Sequence, residues 1–154
     1  MFGRILDRSR FWGLVVIAVL ATVFAASCRV ETFDESPCGQ ASDEARRFYS
    51  FHLGNDMTPS PENLEKRKKY LTEDLFKTLS TSDSKTDYFT ASDVFPRTFK
   101  IGDCTLKSPD DATVQVQIYW KDDYTTVQKD VLVDVVKRAG AWLINGVTPD
   151  PASK

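Results

Sequence analysis

The chain has 154 residues, 42% of them hydrophobic and 12% aromatic, with 20 Lys and Arg against 22 Asp and Glu for a formal net charge of −2. That content suits a packed core rather than disorder, and beyond an N-terminal segment it leaves about one domain's worth of chain. The near-neutral balance lacks the basic footprint of a nucleic-acid binder, and a single histidine, His52, excludes a site made of several imidazole ligands.

Arg4, Arg8 and Arg10 precede an uncharged apolar stretch over 11–27 that ends in small residues. A basic start, an apolar run and small residues at its end make an export signal or membrane anchor over 1–27. As a helix the run would reach about 25 Å, short of the roughly 30 Å hydrocarbon layer. Glu31, Asp34 and Glu35 follow it, so the positive-inside rule puts the body of the protein outside the cytoplasm. Ala25-Ala26-Ser27-Cys28 resembles the lipobox of bacterial lipoproteins, in which cleavage leaves a diacylglyceryl group on the cysteine. Ala25 departs from the large aliphatic residue usual there. The resemblance implies lipid attachment at Cys28 and an extracytoplasmic, membrane-anchored place in the bacterial cell envelope. An uncleaved N-terminal helix, or plain secretion with Cys28 free or paired, are the alternatives.

Three cysteines are present, Cys28, Cys38 and Cys104. If lipid takes Cys28, an even pair remains, and in an oxidising compartment Cys38–Cys104 is the expected disulfide. It would close a loop of about 67 residues. Two separately buried thiols are the alternative, because spacing alone does not bring sulfurs together.

Residues 28–41 read as a tether, acidic and containing Pro37 and Gly39. The folded domain is expected over 42–149. Ser42 is a reasonable N-cap for a first helix carrying Ala41, Ala45, Phe48 and His52 at helical spacing, with Gly54-Asn55 as its stop. Ser60 caps a second helix with Pro61 in its first position, and Leu64, Leu71, Leu75 and Leu79 form its stripe. Thr72-Glu73-Asp74 is a fresh cap, which predicts two short helices with a bend. Lys66-Arg67-Lys68-Lys69 reads as a solvated basic face, with attraction to anionic headgroups or an acidic partner as the alternative.

From Arg97 the period becomes twofold. Strands are predicted over 98–106, 112–121, 127–138 and 141–147. The second is the clearest: Val114, Val116, Ile118 and Trp120 alternate with Gln115, Gln117, Tyr119 and Lys121. Asp122-Asp123-Tyr124 and Ala139-Gly140 are the hairpin turns, and Pro149 and Pro151 end the pairing. Helices followed by an antiparallel meander make an α+β fold, with one sheet face against the helices and the other partly wet.

This order of elements resembles the nuclear transport factor-like superfamily, a cone of helices packed in a curved antiparallel sheet. Phe48-Tyr49-Ser50-Phe51 in an early helix, the break at Tyr70-Leu71-Thr72 and the ending over 135–147, with Gly140, Trp142 and Ile144, carry the likeness. It extends over about 42–147 and is similar above all to uncharacterised bacterial lipoproteins and secreted domains, which imply no agreed activity and no cofactor. A cystatin-like helix on a sheet is the neighbouring alternative.

Enzymes of that superfamily often hold an Asp or His in the pocket, which makes His52 with Asp134 the one acid/base pairing to consider. Asp134 stands among aliphatic strand residues; the plainer expectation is a half-exposed face on which it meets solvent or a cross-strand lysine. Trp120 and Trp142 follow the apolar alternation and are expected in the core. Tyr119 and Tyr124 are better placed to touch a ligand or partner. No catalytic serine arrangement, phosphate-cradling glycine loop or paired-cysteine metal spacing occurs. The expected function is a non-catalytic exported binding domain for a protein partner or a small apolar ligand. A pocket enzyme using Asp134 and His52 is the alternative, and a module that blocks a partner's site a third.

Overall fold

The computed structural model describes residues 34–121 and 126–152 of the chain. The expected signal or anchor, Cys28 and Tyr124 lie outside the described residues. Among the described residues three α-helices precede a four-stranded antiparallel sheet: α1 Pro37–Leu53, α2 Pro61–Arg67, a 3-10 turn Lys68–Tyr70, α3 Glu73–Ser80, then β1 Thr98–Ser108, β2 Asp111–Lys121, β3 Thr126–Arg138 and β4 Ala141–Pro149. The sheet is a meander in the order β1-β2-β3-β4.

Helix α1 starts five residues before the expected Ser42. Ser36 is its cap, accepting from Gly39 N at 3.0 Å, and Pro37 takes the first position, where a missing N–H costs nothing. The same Ser-Pro pairing opens α2, where Ser60 Oγ accepts from Asn63 N at 3.1 Å. Thr72 caps α3 through Leu75 N, so the predicted bend is present.

The twofold alternation sorts the sheet into two faces. Val114, Val116 and Ile118 of β2, Val131, Val133 and Val135 of β3, and Ile144 of β4 are fully buried beneath α1. Ala41 and Ala45 let α1 approach the strands closely, and Phe48 and Tyr49 fill the space beyond them. The opposite face carries Thr113, Gln115, Gln117 and Asp134 and stays partly wet. Two irregularities keep this sorting intact. In β1, Ile101 pairs with Val116 and Cys104 with Val114, so two intervening residues oppose one and both side chains face inward. Gly102 stands in that bulge, where a Cβ would come within 2.6 Å of the Gln115 side-chain oxygen. In β4, Ile144 pairs with Val135 and Val147 with Val133, which brings both onto the core side. Ala139 and Gly140 turn the last hairpin with φ of 50° and 84°.

The bulge in β1 aims Cys104 at the first turn of α1, and Cys38 and Cys104 form a disulfide. Such bonds persist in oxidising compartments, so this one points to an extracytoplasmic location. The outer edge of β4 is partly covered: Leu71 bridges to Ile144, and Thr72 N donates to Ile144 O at 2.9 Å. Among the described residues no helix is long and apolar enough to cross a membrane.

Candidate functional site

A cleft of about 600 Å³ opens where the C-terminal ends of α1 and α3 meet α2, the 57–60 loop before it and the loop over 82–89. Its floor is a buried chain of three polar side chains. His52 comes from the last turn of α1 and Arg67 from the last turn of α2, while Asp87 comes from the loop; they are 1%, 3% and 4% exposed.

Arg67 Nε donates to His52 Nδ1 at 2.7 Å, and His52 Nε2 lies 2.9 Å from Asp87 Oδ2. Arginine has donors only, so His52 Nδ1 must be the acceptor. The ring proton then sits on Nε2 and is donated to Asp87. The imidazole is neutral in this arrangement, and both of its nitrogens are occupied. Phe48 stacks on the ring at 5.5 Å between centroids, and Phe89 meets it edge-on at 5.1 Å.

Each partner is held in turn. Arg67 Nη1 donates to Asn63 O at 2.6 Å, one turn back in its own helix, and Nη2 to Asp56 O at 2.8 Å. Burial pushes the Arg67 guanidinium below its usual pKa, with the charges of Asp87 and Asp56 opposing that shift. Asp87 Oδ2 accepts from the Thr90 hydroxyl at 2.6 Å and from Thr90 N at 3.2 Å, which folds residues 87–90 into a side-chain-capped turn. Tyr49 Oη donates to Phe89 O at 2.7 Å and pins that turn to α1. Burial, and then the Asp87 and Tyr88 charges, raise the Tyr49 hydroxyl well above its ordinary value, so it stays a donor.

His52 and Asp134 are not brought together. Asp134 projects from the sheet face opposite α1, where Oδ1 accepts from Lys107 Nζ and from Thr113 Oγ1, each at 2.7 Å. The alternation of β3 forces this, because Val133 and Val135 point inward and the residue between them points out. Asp134 thus meets a lysine, and its hydrogen bond raises the Lys107 ammonium above its usual pKa. Tyr119 is on the same outer face and donates to Gln117 Oε1 at 3.0 Å, away from the cleft.

The run over 66–69 divides as 3.6 residues per turn requires. Lys66 and Lys68 pair with Glu62 and Glu65 at the surface, and Lys69 lies over the Phe51 and Tyr70 rings. Only Arg67 turns inward. It and Asp87 are the site residues that the sequence reading passed over. Arg67 had one signal: it stands three residues after Leu64 and four before Leu71, on the apolar stripe. Asp87 had another, its spacing of three from Thr90. Among the described residues no group of three or more His, Cys, Asp or Glu side chains is placed to hold a metal ion.

No protein-family model and no curated protein matches the chain. Among solved structures, the chain is similar to a protein of unknown function from Bacteroides thetaiotaomicron VPI-5482. The TM-score is 0.43 and the identity 19%, covering 85% of this chain and 99% of that one.

Proposed function

We propose that this chain is an exported binding domain, held at the bacterial envelope membrane by lipid on Cys28, whose cleft takes a ligand without transforming it. One observation carries the reading. The cleft has the volume of a small-molecule site, yet the imidazole on its floor has both nitrogens engaged, by Arg67 and by Asp87. A general base needs a free lone pair within reach of the substrate proton. His52 has none to offer unless its bond to Arg67 breaks. The tether belongs to the same reading and rests on the Ala25-Ala26-Ser27-Cys28 pattern together with the disulfide. The cone-like, nuclear transport factor-like arrangement is part of it too, supported by the order of helices and meander.

A thermal-shift screen of the full chain in detergent against a library of small metabolites tests the binding. A ligand that prefers the folded state raises the midpoint. Mass spectrometry of each stabilising compound after long incubation is expected to recover it unchanged; steady consumption of one overturns the non-catalytic reading. Mass spectrometry of the mature N-terminus is expected to find an acylated Cys28, and an unacylated chain that begins at Met1 overturns the tether.

A further inference from the structure

Arg67 is a buried cation, 3% exposed, that no carboxylate touches directly among the described residues. The His52 ring stands between it and Asp87, so that carboxylate acts on it only at a distance and accepts none of its N–H groups. A guanidinium presents five N–H donors. Three are spent, on His52 Nδ1, Asn63 O and Asp56 O. The other two find no acceptor among the described residues. A desolvated charge with spare donors is costly unless something supplies oxygen atoms.

The surroundings say what kind of oxygen. Arg67 lines the cleft together with Met57, Leu64, Leu79 and Phe89, so an apolar wall stands beside the donors. Asp83 and Asp87 line it as well, against Arg67 and Lys85, so the lining carries no excess positive charge to hold a doubly charged guest. We infer that the cleft binds a small organic carboxylate with an apolar body, its two oxygens on the Arg67 guanidinium and its body against Leu64, Leu79 and Phe89. A monoanionic, planar carboxylate matches two N–H groups of one guanidinium. The inference rests on the reading of the cleft as a ligand site and adds the chemical class.

The test is a titration of the full chain in detergent, followed through the nitrogen-bound proton signals of the Arg67 side chain. The probes are phenylacetate, its neutral isostere phenylacetamide, and inorganic phosphate. Phenylacetate is expected to shift the Arg67 signals saturably. The amide and phosphate are expected to bind about tenfold or more weakly, as loss of a charge-assisted fork implies. Arg67→Lys keeps the charge, loses the fork and is expected to weaken phenylacetate about tenfold. Should that variant fail to fold, Ser84→Trp decides instead: Ser84 is exposed at the rim, and a ring there is expected to abolish the shift.

Absence of a shift, equal affinity for the amide, phosphate binding as tightly as phenylacetate, or a shift that survives Ser84→Trp overturns the inference. A neutral compound from the screen that occupies the cleft while phenylacetate does not overturns the carboxylate class and leaves the binding function standing. If nothing occupies the cleft, both fall.

Discussion

Removing the disulfide is the perturbation whose size follows most directly from the chain. Cys38 and Cys104 are 66 positions apart, and the loop between them contains α1, α2, α3 and the start of β1. In the chain-entropy account, closing a loop of that length removes freedom from the unfolded chain equivalent to about 4 kcal/mol. The folded side changes little, since both sulfurs are only half-buried and the strand register around Cys104 is set by its pairing with Val114. Cys38→Ala with Cys104→Ala is therefore expected to lower the unfolding free energy by about 4 kcal/mol, and reduction of the wild type by dithiothreitol by a similar amount. With a urea slope of about 2 kcal/mol per molar, the midpoint drops by roughly 2 M. Urea unfolding followed by far-ultraviolet circular dichroism reads this directly. Titration of free thiols on the same samples verifies that the wild type is oxidised. A loss below about 1 kcal/mol in an oxidised sample would refute the reasoning, because the constraint would then not act on the unfolded chain as the loop length requires.

Asp87→Ala leaves the His52 Nε2 proton and both Thr90 donors without an acceptor in the buried floor, and is expected to cost about 3 kcal/mol in urea unfolding; a loss under about 1 kcal/mol contradicts the network. Asp134→Ala removes a contact to a half-exposed lysine on the far face, so its stability change should stay below about 1 kcal/mol, and ligand occupancy of the cleft should not change. Asp56 carries the pH prediction. Hydrogen bonds from Thr58 N, then from Thr58 and Asn63 side chains, hold its carboxyl at about 2 against an ordinary 3.8. A depressed folded value means that the stabilisation is fully present above the unfolded value and is lost as pH falls through the folded one. The melting temperature of the wild type should therefore exceed that of Asp56→Ala at pH 6, and the gap should close between about pH 4 and pH 2; a gap that persists unchanged to pH 2 contradicts the assignment.

What could be read from the chain, and what could not, divides along a physical line. Alternation over 112–121 sorted Val114, Val116 and Ile118 from Gln115 and Gln117 because a pleated strand has a period of two and one wet face. The two short helices with a bend were legible because Ser60-Pro61 and Thr72 are caps, and caps act through atoms two or three residues away. The start of α1 was misplaced although Ser36-Pro37 is the same signal. The acidic residues, Pro37 and Gly39 nearby suggested a tether, and the packing of Cys38 on β1 adds to the Ser36 cap in favouring the helix there. The bulge at Ile101–Cys104 has one local sign, Gly102 inside a strand pattern, which does not by itself set the register; both bulges exist so that residues out of step in number still share a face. The site was least legible. His52, Arg67 and Asp87 belong to three elements, and a charged residue on an apolar stripe looks like a surface lysine until its partner is known. His52 and Asp134, paired only as an alternative because both stood out chemically, lie apart, and the plainer expectation of a lysine beside Asp134 on the half-exposed face is the arrangement found.

Helix α1 links the disulfide, the core and the cleft floor, and its length gives the domain a direction. Near its start, Cys38 is bonded to β1, and the Gln40 side chain accepts from Trp142 Nε1 of β4 at 3.1 Å. In its middle, Phe48 and Tyr49 close the core. At its end, His52 ties α2 and the 82–90 segment together beneath the cleft. The helix is 17 residues long, so its two ends are about 24 Å apart at 1.5 Å per residue. The two ends of α1 therefore do separate work. The disulfide end fixes the helix to β1, and the far end, through His52, fixes α2 and the 82–90 segment beneath the cleft. A change at either end is felt at the other only through the core packed along the helix between them.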